Sequence, residues 1–168
     1  MELTLYLANS LGFSETQELS LKYLVSQVKG LASEDVKLNL IEPFARAKPE
    51  LDINYLQNLP SYLEREFYLN SFNQTIGRLN IEGLEECDAV LAILDGDDIG
   101  VASEVGYFVG YHKNTRPVFA LRTDLRGGEN IATPTNLQVE AFVKATNKPI
   151  YTSINSWLDA IGEWLGEL

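Results

Sequence analysis

Four carboxylates gather in one short stretch: Asp95, Asp97 and Asp98 stand almost side by side, and Glu104 follows six residues after Asp98. The apolar run Val90 to Leu94 leads into them, bounded by Asp88 on one side and Asp95-Gly96 on the other. Such a run reads as a strand buried on both faces of a parallel sheet. Open α/β sheets bind ligands beyond the carboxyl ends of their strands, which is where these acids fall. A helix is expected from near Asp98 or Gly100 to about His112, with Val101, Val105, Phe108 and Val109 at helical spacing. Glu104 borders that apolar stripe. A carboxylate there is partly desolvated while the helix N-terminus favours its ionised form, a combination suited to a nucleophile at neutral pH. A plainer account fits the same residues: acids in a first turn complement the helix dipole, and Asp98 serves only as an N-cap. On spacing alone the plainer account is the stronger.

The elements that must position these groups form a regular alternation. Leu3 to Ala8 reads as the first strand, with Asn9 to Phe13 as the loop at its carboxyl end. Ser14-Glu15-Thr16-Gln17 has the form of a capping box, which predicts a helix over Glu15–Lys29 with Leu19, Tyr23 and Val28 inward. Val36 to Ile41 alternates apolar with polar residues and ends at Glu42-Pro43, as a sheet-edge strand does. Phe44 to Pro60 reads as irregular and is long enough to be functional. A long helix follows Ser61, with Tyr62, Phe67, Phe72 and Ile76 among its apolar positions and a break expected near Gly77 or Gly83. Its aromatic residues suit core or a subunit interface.

After the Glu104 helix, Pro117 to Leu121 is a fourth strand, and the loop Arg122 to Asn130 opens over the same crevice. Arg122 and Arg126 suit a phosphate, or ion pairs with Asp124 and Glu129; the ion pairs are favoured in so acidic a chain. The next helix is expected over Pro134–Thr146, with Thr133 as N-cap and Asn136 in the first turn. Lys148 to Tyr151 makes a fifth strand, and Ser153 to Leu168 a terminal amphipathic helix carrying Trp157, Leu158, Ile161, Trp164 and Leu165. The alternation predicts an α/β fold: a doubly wound, five-stranded parallel sheet in the flavodoxin-like order 2-1-3-4-5. No G-x-G-x-x-G or G-x-x-x-x-G-K-[ST] occurs, so a dinucleotide or nucleoside triphosphate cofactor is disfavoured.

Composition bounds the partners. The 168 residues suit one domain spanning the whole chain, and no apolar run approaches a membrane span. The amino terminus enters a strand pattern with no basic region or h-region, so a cytoplasmic protein is expected. A formal charge of −11 argues against nucleic acid or an anionic membrane and favours a small neutral ligand. Cys87 and His112 are the only residues of their types, which leaves no disulfide and no Cys- or His-rich metal site. Cys87 reads as a buried small residue and His112 as a solvent-side residue late in a helix.

Together these residues resemble the nucleoside 2-deoxyribosyltransferase family. Tyr6-Leu7-Ala8 resembles its Y-L-A entry motif, with Phe13 near the aromatic position that follows. The block from Asp95 to Tyr107 resembles D-G-x-x-D-x-G-x-x-x-E-x-G-Y, and Asn136-Leu137 resembles an N-L motif. The resemblance implies that Glu104 is the nucleophile, Asp98 the second active-site acid and Tyr6 the residue that orients the nucleophile. It implies substrate contacts from Phe13, Asn80, Asp95, Gly100 and, from a neighbouring subunit, Asn136. Asn80 stands where some members carry an aspartate. The chemistry implied is exchange of 2-deoxyribose between a 2′-deoxynucleoside and a free nucleobase with retention, without metal or organic cofactor, in a homo-oligomer built from dimers. Two alternatives remain beside it. One is hydrolysis of the N-glycosidic bond in 2′-deoxynucleosides or deoxynucleoside 5′-monophosphates, with Ser10, Arg122 or Arg126 on the phosphate. The other is a phosphoacceptor or flavin-type module using Asp95 and Lys148, disfavoured because the first strand lacks a terminal acidic pair.

Overall fold

The computed structural model describes residues 1–47, 52–124 and 133–168. Five strands, β1 (Glu2–Ala8), β2 (Lys37–Ile41), β3 (Ala89–Ile93), β4 (Val118–Leu121) and β5 (Ile150–Tyr151), form an all-parallel sheet in the order β2-β1-β3-β4-β5. Every residue of β3 and β4 is buried, whereas the edge strands β2 and β5 are half-covered. Central parallel strands lose both faces to helices, which is why they read as unbroken apolar runs.

Strand alternation divides the core in two. Leu3, Leu5 and Leu7 of β1 face α1 (Glu15–Lys29) and α7 (Ile154–Gly166), together with Leu91, Phe119, Trp157 and Ile161. Tyr6 and Ala8 face the other way, with Val90 and Ala92, towards α4 (Tyr62–Glu86), α5 (Ile99–Tyr111) and α6 (Leu137–Ala145). Val101, Val105, Phe108 and Val109 all bury on the second face, as their spacing predicts. Each such side chain contributes roughly 1.5–3 kcal/mol of transfer free energy. They hold α5 rigidly over the sheet.

Several local expectations are corrected. On α1 the inward residues are Leu21, Leu24 and Val28, while Leu19 and Tyr23 are 69% and 51% exposed. Each lies two positions from Leu21, about 200° round a helix of 3.6 residues per turn and thus near the opposite face. The stretch after Ile41 holds two short helices, α2 (Pro43–Ala47) and α3 (Ile53–Asn58), the second capped by Asp52 accepting from Tyr55 N at 2.8 Å. Pro43 in a first turn and Asp52 before a helix are start signals that mixed composition obscured.

Helix α4 runs through both Gly77 and Gly83 without a break. A full capping box between Ser61 and Glu64 starts it, and Gly83 is held where its helix backbone meets the Tyr6 ring. Tyr62 and Phe67 on its first turns are exposed rather than core residues. Helix α6 begins after Asn136, not Thr133: the Asn136 side chain caps it, whereas the Thr133 hydroxyl turns to Thr135 O. His112 closes α5, half-buried and tilted against the Phe108 ring with Nε2 3.0 Å from Leu84 O, so it also bridges two helices. Cys87 is buried at the end of α4, and desolvation pushes its thiol up to about 12.

Candidate active site

Parallel register places the first group. Tyr6 lies in β1 between Ile41 and Val90, and its parity sends the ring towards α4 and α5. A Cβ on Gly83 would stand 3.1 Å from that ring, so the bare backbone there lets tyrosine pack flush against α4. The Tyr6 hydroxyl then donates to Glu104 Oε1 at 2.7 Å. Asn80 Nδ2, from α4, donates to the same oxygen at 3.5 Å. No hydrogen bond to Oε2 is recorded among the described residues, and Glu104 lines a cavity.

Burial is the main influence on Glu104 and raises its carboxyl pKa to about 7; the Tyr6 hydrogen bond opposes the rise and the Asp98 charge adds to it. Desolvation therefore sets the direction of the shift, away from the ionised form. The Tyr6 hydroxyl is itself pushed far up, first by burial and then by the Glu104 charge, so it remains a proton donor across the physiological range.

Asp98 has both of its anticipated positions. Its Oδ1 accepts from Val101 N at 2.9 Å, the N-cap bond of α5, and its side chain also lines the Glu104 cavity. A Cβ on Gly100 would come within 2.9 Å of that oxygen. Glycine at position 100 thus leaves room for the cap. The cavity, about 290 Å³, is lined by apolar Pro43, Phe72 and Ile76 and by polar Asn9, Asn80, Asp98 and Glu104. A second cavity of about 370 Å³ shares Asn80, Gly100 and Glu104 and adds Ser103 and Tyr107. Among the described residues lining either one, none is a lysine, arginine or histidine.

Tyr6, Asn80, Asp98, Gly100 and Glu104 are therefore brought together, whereas Asp95 and Asn136 of the same chain lie elsewhere. Asp95 turns to the loop after β4, accepting from Thr123 N at 2.6 Å, Thr123 Oγ1 at 2.5 Å and Asp124 N at 2.9 Å. Arg122 forms an ion pair, as favoured, and its partner is Asp97. Asn136 accepts from Gln138 N and Val139 N and lines a crevice of about 40 Å³ with Asp98, apart from the Glu104 cavity of its own chain. The Phe13 side chain and the residues Arg126 and Glu129 lie outside the described set. Asn9, Phe72 and Ile76 line the cavity although sequence reasoning assigned them no site role. Asn9 was legible as the first residue past a strand carboxyl end, but the apolar pair reads like any helix face.

A doubly wound parallel sheet with a half-buried, tyrosine-bound carboxylate beyond the carboxyl ends of its strands defines an α/β protein with a carboxylate-lined crevice where such folds take their ligands. The family model described as Nucleoside 2-deoxyribosyltransferase matches residues 5–147, and the chain belongs to that family. Its fold is shared by a solved structure, titled "Crystal structure of conserved protein from Enterococcus faecalis V583", at 24% identity and a TM-score of 0.66. That match covers 97% of this chain and 99% of the other. No curated protein matches the chain.

Proposed function

We propose that the protein transfers 2-deoxyribose between nucleobases through a covalent deoxyribosyl-Glu104 intermediate. The observation that carries this reading is the Tyr6–Glu104 hydrogen bond: it engages Oε1 and leaves Oε2 as the oxygen to attack. Glu104 forms a bond to C1′ of a 2′-deoxynucleoside as the C1′–N bond breaks, and the base leaves with the bonding pair. Asp98 handles the proton that the departing ring nitrogen acquires, or binds the sugar hydroxyls. A ring nitrogen of a second base then attacks C1′, the glutamyl ester bond breaks, and its proton is returned. Two inversions give net retention. The apolar wall of Phe72 and Ile76 suits a base, and Asn80, Gly100 and Phe13 complete the substrate contacts. The reaction requires neither metal nor organic cofactor.

A neutral deoxynucleoside suits the cavity better than a 5′-monophosphate, because the carboxylates of Asp98 and Glu104 line it and no described lining residue is cationic. We assign the protein to nucleotide salvage in the cytoplasm, as a homo-oligomer built from dimers in which Asn136 reaches a neighbouring subunit's sugar. The test is incubation with thymidine or deoxyinosine plus a second free base. Exchanged nucleoside is expected, with a mass gain of one deoxyribosyl unit on the protein when acceptor is omitted. A Glu104→Ala protein that still labels and turns over would falsify the nucleophile assignment.

A further inference from the structure

Arg122 stands at the carboxyl end of β4 and is only 2% exposed. Its guanidinium donates to Leu94 O, where β3 ends, at 3.0 Å. It also donates to both carboxylate oxygens of Asp97, with Nη2 to Oδ2 at 3.1 Å. Such a planar fork fixes orientation as well as distance. Asp97 in turn accepts from the Thr135 hydroxyl at 3.2 Å, one residue before the cap of α6. It also occupies left-handed backbone at φ 52°, which few non-glycine residues adopt. The chain turns there, and the next residue is Asp98, extended at φ −69° and ψ 128° and lining the Glu104 cavity.

We infer that Arg122 and Asp97 are a positioning pair for the reaction: the ion pair holds the left-handed turn that sets Asp98 beside Glu104. The inference rests on the transfer reading for its kinetic consequence. Asp97 touches neither cavity at Glu104, so it acts through its neighbour. Thr135 extends the same hold to the start of α6, so the β3–α5 loop, the end of β4 and the start of α6 meet at one carboxylate.

The test is a double-mutant cycle in the full chain. Asp97→Asn keeps side-chain volume and tolerance of left-handed backbone while removing the charge. The pair Arg122→Gln/Asp97→Asn removes both charges, so no buried guanidinium loses its carboxylate. Either change is expected to lower kcat for base exchange about tenfold or more, with KM altered less than about threefold. In an Asp98→Asn background the same changes should cost less than about threefold, because the group they position is already altered. Equal fold losses in both backgrounds overturn the inference, since a pair that merely stabilises the fold acts independently of Asp98. Hydrogen exchange at the Val101 amide, which the Asp98 carboxylate holds, supplies a readout without activity. Its protection should fall in Asp97→Asn protein at matched global stability, and undiminished protection overturns the inference. If the wild-type protein exchanges no bases, the transfer reading fails while the Val101 amide still decides the role of the pair.

Discussion

The Tyr6 hydroxyl and Glu104 Oε1 lie 2.7 Å apart although 98 residues separate them in the chain. One sits in a central strand and the other in the helix that follows the neighbouring strand, so only a correctly registered β1–β3 pair brings them together. The contact orients the carboxylate and moderates the effect of its burial.

Tyr6→Phe removes the donor and keeps the ring against Gly83. Base exchange at neutral pH should fall roughly 10- to 100-fold, the worth of a hydrogen bond to a charged group. Because that bond lowers the Glu104 pKa, its loss should also move the acid limb of the rate profile to higher pH. Steady-state rates between pH 5 and 9 check both effects, and an unmoved limb would remove Tyr6 as the group that tunes Glu104.

The raised Glu104 pKa has opposite consequences for rate and for stability. A nucleophile must be ionised, so activity should rise with pH through about 7 and level above it. A carboxyl whose folded pKa exceeds its ordinary value of 4.5 stabilises the fold fully below that value and loses the contribution as pH rises through about 7. The loss is on the order of 3–4 kcal/mol, one pKa unit being about 1.4. Glu104→Gln should therefore match wild-type stability near pH 5 and exceed it at pH 8. Thermal unfolding at the two pH values decides this, and a stability gap that is the same at both denies the shift.

Asp98 caps α5 and also lines the Glu104 cavity, and one substitution separates the cap from the proposed catalytic role. Asn remains a good N-cap, so Asp98→Asn should change Tm little. Turnover should drop about a hundredfold if the carboxyl handles the leaving-base proton. Unaltered turnover together with lowered stability would mark Asp98 as a cap alone.

The shared site is tested by mixing inactive Glu104→Ala and Asn136→Ala chains after dissociation. In a two-fold dimer one site of each hybrid holds both defects and the other neither, so about one quarter of wild-type activity should return under random pairing. Asn136 also caps α6, so its alanine variant should lose about 1 kcal/mol of stability and must be shown to be folded. If subunits demonstrably exchange and no activity returns, Asn136 acts within its own chain or not at all.

Much of the fold was legible because its signals are local. Apolar runs of strand length, the Val101-Val105-Phe108-Val109 stripe and the cap at Asp98 depend on residues a few positions apart, and the β-α alternation then constrains the sheet order. The departures fall where packing or a competing hydrogen bond overrides a local signal. Helix α4 continues through Gly77 and Gly83 because its capping and packing outweigh two flexible residues, and α6 starts at Asn136 because Thr133 finds another acceptor. The four acids show the same division. Their clustering near a strand end was visible in the chain, but nothing local distinguishes Asp95, bound to Thr123, from Asp97, bound to Arg122, or either from Asp98, which faces the cavity. Those partners come from β4 and its loop, and their choice is set by interstrand register. The pKa of Glu104 likewise follows from what covers it, and burial is a property of the assembled layers rather than of any stretch of sequence.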